Sequence, residues 1–142
     1  MDSHASVGAV IRRGGKILLI DRAIPPFGLA APAGHVDPGE TPEQAVRREV
    51  REETGLVVTK LRKLTEASVA WNWCSQGVTG HDWHIYACRA MGKVQVNEES
   101  RSAGWYPIKD LPRLKLEPVW AHWFTQLGLL KTGERESQSR KP

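Results

Sequence analysis

The chain has 142 residues, 40% hydrophobic and 25% charged, which suits one globular domain with a core of its own. No apolar run approaches the roughly 20 residues of a membrane span and no secretory apolar segment is visible, so a cytoplasmic protein with no membrane partner is expected. The formal net charge is +4, but residues 131–142 carry four Lys/Arg against two Glu; the rest is nearly balanced and shows no basic stripe, so a nucleic-acid partner is not expected.

Residues 1–5 read as a frayed end. Residues 6–12 alternate Val7, Ala9 and Ile11 with small or polar positions, the period of a half-buried strand. Arg13-Gly14-Gly15 is a tight turn, and residues 16–21, with Ile17-Leu18-Leu19-Ile20, form the second strand of a hairpin. Two consecutive prolines, Pro25 and Pro26, make residues 22–26 a loop. Residues 27–32 are expected as a short strand that delivers the chain to Gly34.

Next comes a glycine-bearing loop that runs into a helix. Thr41 is suited to the N-cap, Pro42 to the first helical position, and Gln44 completes a capping box; Gly55 supplies a left-handed stop. The helix is therefore expected over residues 42–54. Val46 and Val50 lie four apart and face a core, while Gln44, Arg47 and Arg51 lie on the wet side. Glu49, Glu52 and Glu53 stand at i, i+3 and i+4 and converge on one patch. Like charges so placed repel unless a cation sits among them, and clustered oxygens suit a hard ion such as Mg²⁺ or Mn²⁺.

Beyond the helix, residues 56–70 and 82–91 read as paired strands, joined by a polar and aromatic loop over 71–80. Residues 97–104 read as a loop holding Glu98 and Glu99, residues 103–106 as a short strand, and residues 108–111 as a helical turn before Pro112. Residues 117–130 repeat Val119, Trp120, Trp123, Phe124, Leu127 and Leu130 at helical spacing, a core-packing stripe. Residues 131–142 are polar, without periodicity, and expected to be disordered. No repeat or linker appears, so residues 1–130 are read as a single domain. Cys74 and Cys88 show no metal-ligand spacing and are expected to be free thiols. His81 and His84, three apart on a strand, fall on opposite faces and do not form a joint metal site.

The loop and helix over residues 34–56 resemble the Nudix box: Gly, five residues, Glu, seven residues, Arg-Glu, an aliphatic, any residue, Glu-Glu, any residue, Gly, an aliphatic. Gly34, Glu40, Arg48, Glu49, Val50, Glu52, Glu53, Gly55 and Leu56 meet every fixed position. Seven of these are exact identities, which at about 7% usage each arise by chance at on the order of 10⁻⁸ per window. The resemblance implies an α/β/α sandwich with a mixed central sheet, a catalytic loop and helix over residues 34–55, and a C-terminal helix. It also implies a Mg²⁺- or Mn²⁺-dependent hydrolase of a nucleoside diphosphate linked to another moiety: a (d)NTP, a nucleotide sugar or an ADP-ribose type. By the same resemblance Glu49, Glu52, Glu53 and the backbone carbonyl of Ala33 ligate metal. Arg48 orients the first helical glutamate, Glu40 supports it, and Glu98 or Glu99 is a candidate general base.

Substrate contacts are less legible. Trp71, Trp73 and Phe27 are candidates for stacking on a base, and Arg22 for reaching phosphates; Trp83 reads as core, and His35 as structural. A small-molecule nucleotide is the expected partner, and a homodimer is left open. The alternatives are a Nudix-like domain that senses a nucleotide without cleaving it, and an RNA 5′-end pyrophosphohydrolase, against which the lack of a basic track argues.

Overall fold

The computed structural model describes residues 3–69, 80–96 and 100–131. The expected hairpin is present: β1 (Ser3–Arg13) turns through Gly14 and Gly15, at φ 57° and 78°, into antiparallel β2 (Lys16–Arg22). Residues 3–5, expected to fray, belong to β1, which pairs in parallel with β6 (Gly80–Met91) from its start. After β2 come β3 (Leu29–Ala30), β4 (Ala33–His35), α1 (Pro42–Thr54), β5 (Val57–Val69), β6, β7 (Ser100–Pro107), a 3-10 helix (Ile108–Arg113) and α2 (Pro118–Gln126). The seven-stranded mixed sheet runs β3-β2-β1-β6-β5, with β4 paired to β1 and β7 to β2.

Alternation along β1 sets the layers. Val7, Ala9 and Ile11 join Tyr86 and Cys88 under the α1 residues Ala45, Val46 and Val50. On the other face Val10, Ile17, Leu19, Trp83 and Ile85 meet Trp120, Trp123 and Phe124 of α2. The two helices thus cover opposite sides of the sheet, giving the expected α/β/α sandwich. Each fully buried aliphatic side chain in these layers contributes roughly 1.5–3 kcal/mol. Gly8 admits α2 to the sheet: a Cβ there would stand 2.4 Å from the Trp120 ring. Trp83, read as core, packs edge-on against Trp120 with ring centroids 5.7 Å apart. Cys88 is a free, buried thiol, pushed up to about 12 by burial. The expected readings for Cys74, the loop over 71–79 and the tail over 132–142 lie outside the described residues, as does the His81 side chain.

Several boundaries differ from expectation. The strand expected over 27–32 shrinks to Leu29–Ala30, because Gly28 takes φ 127° and the chain turns onto residues 115–117, where Leu29 N donates to the Lys115 carbonyl at 2.9 Å. The chain then re-enters the sheet as β4, an element too short to show periodicity. β7 begins at Ser100, inside the expected loop, because its partner β2 extends to Arg22. The 3-10 helix continues through Pro112. Helix α2 ends at Gln126 instead of 130: Leu127 caps it, Gly128 takes φ 79°, and the Leu129 and Leu130 N–H groups both bond the Phe124 carbonyl. Leu130 nevertheless reaches the core.

Glu117 is an unanticipated buried carboxyl, 4% exposed, whose Oε1 accepts from Val119 N at the start of α2. Burial raises its pKa, while the Val119 N–H and the Arg22 charge pull it down. A carboxyl raised on folding contributes stability that is complete below its unfolded pKa and is lost as pH climbs through the folded value. Glu117→Gln keeps an acceptor for Val119 and cannot ionise. Urea midpoints should therefore show the variant gaining stability on the native chain as pH rises from about 4, near the carboxylate reference value, to neutrality; a difference independent of pH would contradict this.

Candidate functional site

The box is held together by local geometry. Thr41 caps α1 with its hydroxyl accepting from Gln44 N, the Gln44 side chain accepts from Thr41 N, and Gly55 closes the helix at φ 78°. These signals fix where each glutamate emerges. The loop between β4 and α1 then folds back, with Asp37 N donating to Glu40 Oε1 at 2.9 Å, so that Glu40 meets the second turn of α1.

Arg48 is the hub. Its Nε and Nη2 donate to the two Glu40 oxygens at 2.7 and 3.0 Å, a bidentate pair. Nη1 donates to Glu49 Oε2 at 2.9 Å and Glu52 Oε1 at 3.1 Å, and Nη2 to the His35 carbonyl at 2.9 Å. Asp37 Oδ2 lies 3.5 Å away. The Arg48 hydrogen bond, followed by that from Asp37 N–H, holds the Glu40 carboxyl below the ordinary carboxylate range. The Arg48 guanidinium is raised, first by Glu40.

The three helical glutamates have distinct surroundings. Glu49 is pressed onto β4, where a Cβ on Gly34 would stand 2.1 Å from its Cδ. Only glycine leaves that carboxylate room. Burial pushes Glu49 up to about 7 despite the neighbouring Arg48, with Glu52 and Asp37 adding repulsion. Glu52 is more exposed and shares Arg48. Glu53 turns to β4, where its Oε1 accepts from Ala33 N at 2.9 Å. Among the described residues, no group of three or more His, Cys, Asp or Glu side chains is arranged to hold a metal ion. Glu49 and Glu52 thus meet on Arg48, and Glu53 bonds the backbone of Ala33, the residue next to the Gly34 that the Glu49 carboxylate covers.

Glu53 opens onto a cleft that it lines with Ala33, Arg22, Ile24, Ile20 and Ser100. The structure therefore brings Arg22 and Glu53, 31 positions apart, to one cavity. The Arg22 guanidinium is tied to the carbonyls of Ile24 and Pro25, both at 3.3 Å. Phe27 is not among the lining residues; it is half exposed with the Arg101 guanidinium 5.5 Å from its ring centre. Ser100, Ile24 and Arg101 were not singled out from the sequence, because only the pairing of β7 with β2 brings residues 100 and 101 to this edge. Trp71, Trp73, Glu98 and Glu99 lie outside the described residues. His84, on the α1 side of β6, stands with Nδ1 3.5 Å from Glu66 Oε1.

A model of the NUDIX domain matches residues 2–127. An ADP-ribose pyrophosphatase from Methanocaldococcus jannaschii is 32% identical over 116 residues, covering 79% of this chain and 66% of its own length. The nucleoside triphosphatase NudI of Enterobacter sp. is 32% identical over 141 residues, covering 92% of this chain and 100% of its own. The chain spans 22% to 44% of the length of several other curated relatives. The crystal structure of a MutT NUDIX hydrolase from Burkholderia pseudomallei superposes with a TM-score of 0.74 at 28% identity, over 85% of this chain and 95% of that one. The chain belongs to the Nudix family.

The Arg48–Glu49 contact is testable without a substrate. Removing the cation strands a buried carboxylate, so Arg48→Met should cost more in the native background than in Glu49→Gln, with a coupling of about 0.5–3 kcal/mol in a double-mutant cycle of urea unfolding. Because the Glu49 carboxyl is pushed up to about 7, the coupling should be larger above that pH than below it. Additive effects at both pH values would show that the contact carries no energy.

Proposed function

We propose that this Nudix-family chain is a metal-dependent pyrophosphohydrolase cleaving a phosphoanhydride of a nucleoside diphosphate linked to another moiety. The observation that carries the reading is one edge of the fold where Glu53, Ala33 and Arg22 line a cleft, adjoining the Glu49 carboxylate seated on Gly34. A catalytic cleft for a polyphosphate needs oxygen donors for a hard cation and a fixed positive charge for the phosphates. Both lie here.

The donor set suits Mg²⁺ or Mn²⁺ in kind: carboxylates and backbone carbonyls, with no thiolate or imidazole among the candidates. The bare Cα of Gly34 and the burial of Glu49, which disfavours its own charge, fit a carboxylate placed beside a cation. Glu49, Glu52, Glu53 and the Ala33 carbonyl would hold the ion. When bound, such an ion neutralises phosphate oxygens and lowers the pKa of an attacking water. Arg48 positions Glu49 and Glu52 and is itself held by Glu40. Arg22 binds phosphate oxygens, and Phe27, Trp71 and Trp73 offer surfaces for a base. Glu98 or Glu99 takes the proton from water.

A nucleoside triphosphate is the first substrate to test, because a relative matched over its whole length is described as a nucleoside triphosphatase. A second reading, a domain that binds a nucleotide without cleaving it, is favoured by one observation: Arg48 already occupies both Glu49 and Glu52. A panel of nucleoside triphosphates, nucleotide sugars and ADP-ribose, assayed for phosphate or pyrophosphate release with Mg²⁺ and with chelator, separates the two. Turnover is expected with Mg²⁺ alone. Glu53→Gln should lower it by more than the roughly 10- to 100-fold that loss of a supporting contact to a metal ligand costs. One of Glu98→Gln and Glu99→Gln should lower kcat by about 10²-fold or more, the scale of a lost general base. Saturable binding without turnover would establish the sensor reading instead, and full turnover by Glu53→Gln would overturn the ligand assignment.

A further inference from the structure

The sheet face opposite α1 carries a row of cations that the box does not use. β5 and β6 pair with Lys60 opposite Arg89 and Arg62 opposite Ala87. β1 runs parallel to β6, and Arg12, one residue past the last pair of Ile11 with Cys88, falls beside Arg89. Arg12 also pairs with Ile17, whose side chain belongs to the α2-side core, which fixes the face. Lys60, Arg89 and Arg12 therefore stand side by side on three adjacent strands, spanning roughly 10 Å at the ordinary strand spacing. Arg62 lies two residues along β5 on the same face.

A bulge between Val58 and Lys60 makes this row. Val58 packs in the α1-side core, so strict alternation would return Lys60 to that side; the extra residue, Thr59, turns it to the other. All four side chains are exposed, and among the described residues none makes an ion pair. Like charges set directly across a ladder destabilise a sheet, so an unpaired row of them fits a surface that meets an anion.

We propose that this shelf binds the phosphate backbone of single-stranded nucleic acid. The charge pattern favours it: three cations in line, two of them guanidinium groups that match phosphate oxygens bidentately, with a fourth behind. Among the described residues no aromatic side chain stands beside these cations on β1, β5 or β6, and Tyr106, two strands from Arg12 in the same row, packs on the α2-side core, so binding is through the backbone and independent of base sequence. The shelf does not depend on the hydrolase reading, since α1 and its glutamates lie on the other side of the sheet.

The test is fluorescence anisotropy of the full chain with a labelled 16-nucleotide oligouridylate. Three to four phosphate contacts on a single strand give a slope of log affinity against log salt of about −2 to −3, so affinity should fall roughly 20- to 50-fold between about 50 and 200 mM salt. The variant Arg12→Gln/Lys60→Gln/Arg89→Gln should bind weakly with a slope of about −0.7 or less. Its melting temperature should match or exceed that of the native chain, which shows that folding is intact. Three outcomes overturn the proposal: no salt-sensitive binding at low salt, an unchanged slope in the folded variant, or binding to anionic phospholipid vesicles but not to the oligonucleotide.

Discussion

The guanidinium of Arg48 is the interaction on which the site depends. It joins three pieces of chain that sequence keeps apart: the end of β4 through the His35 carbonyl, the loop through Glu40, and the helix through Glu49 and Glu52. Its planar fork can serve several oxygens at once, which an ammonium on a flexible stem cannot do in one geometry. The bidentate Glu40 pair fixes the guanidinium plane, and that plane decides where Glu49 and Glu52 point. Surface ion pairs of this length are ordinarily worth little. Here Glu49 is largely buried and burial opposes its ionisation, so the pair matters most as a constraint that holds and orients its carboxylate.

That constraint needs a rigid floor, and the sheet supplies it. β4 is three residues long and would not persist alone, but β1 holds it by pairing Val7 with Gly34 and Gly8 with Ala33. β1 in turn is fixed by the parallel pairing with β6 and by apolar layers on both faces. Two glycines at adjacent positions of this ladder allow close approach on opposite sides. Gly34 receives the Glu49 carboxylate and Gly8 receives the Trp120 ring. Substituting Gly34 would displace the Glu49 carboxylate, and substituting Gly8 would press on the buried Trp120 ring, so one short stretch of sheet serves both the site and the second core.

The parts of this arrangement that were legible in the sequence are those with a local cause. The capping box, the Gly55 stop, the hairpin glycines and the apolar faces of α1 and α2 all follow from residues within a few positions of one another, and the box motif carried the family. The boundaries that went astray were set by distant partners. α2 stops at Gln126 because a left-handed Gly128 lets two later amides turn back to Phe124, although the apolar spacing continues to Leu130. β4 is too short to have a period. The three glutamates stand at i, i+3 and i+4 on one helix, but which partner each one meets, Arg48 for Glu49 and Glu52 and the Ala33 N–H for Glu53, depends on the rotation of long side chains, and spacing does not encode that. Arg22 and Ser100 reach one cleft only because β2 pairs with β7.

The same reasoning explains why a charge pattern can be invisible along the chain and plain across the sheet. Arg12, Lys60 and Arg89 lie in three segments far apart in the chain, each with only two or three cations of its own (Arg12, Arg13 and Lys16; Lys60, Arg62 and Lys63; Arg89 and Lys93), so no single window shows the row. A parallel pairing and a single bulge place them in line. In water, two unit charges a few ångströms apart repel by roughly 1 kcal/mol, and salt weakens this further, so exposed side chains can splay and the fold tolerates the row. Its cost is small beside the apolar burial that fixes the register of β1 and β6. Register is therefore dictated by the core, and the cations are carried to their positions by it. A reading of surface electrostatics in a mixed sheet has to begin from strand pairing, because the neighbours that decide a side chain's field lie one strand away and not one residue away.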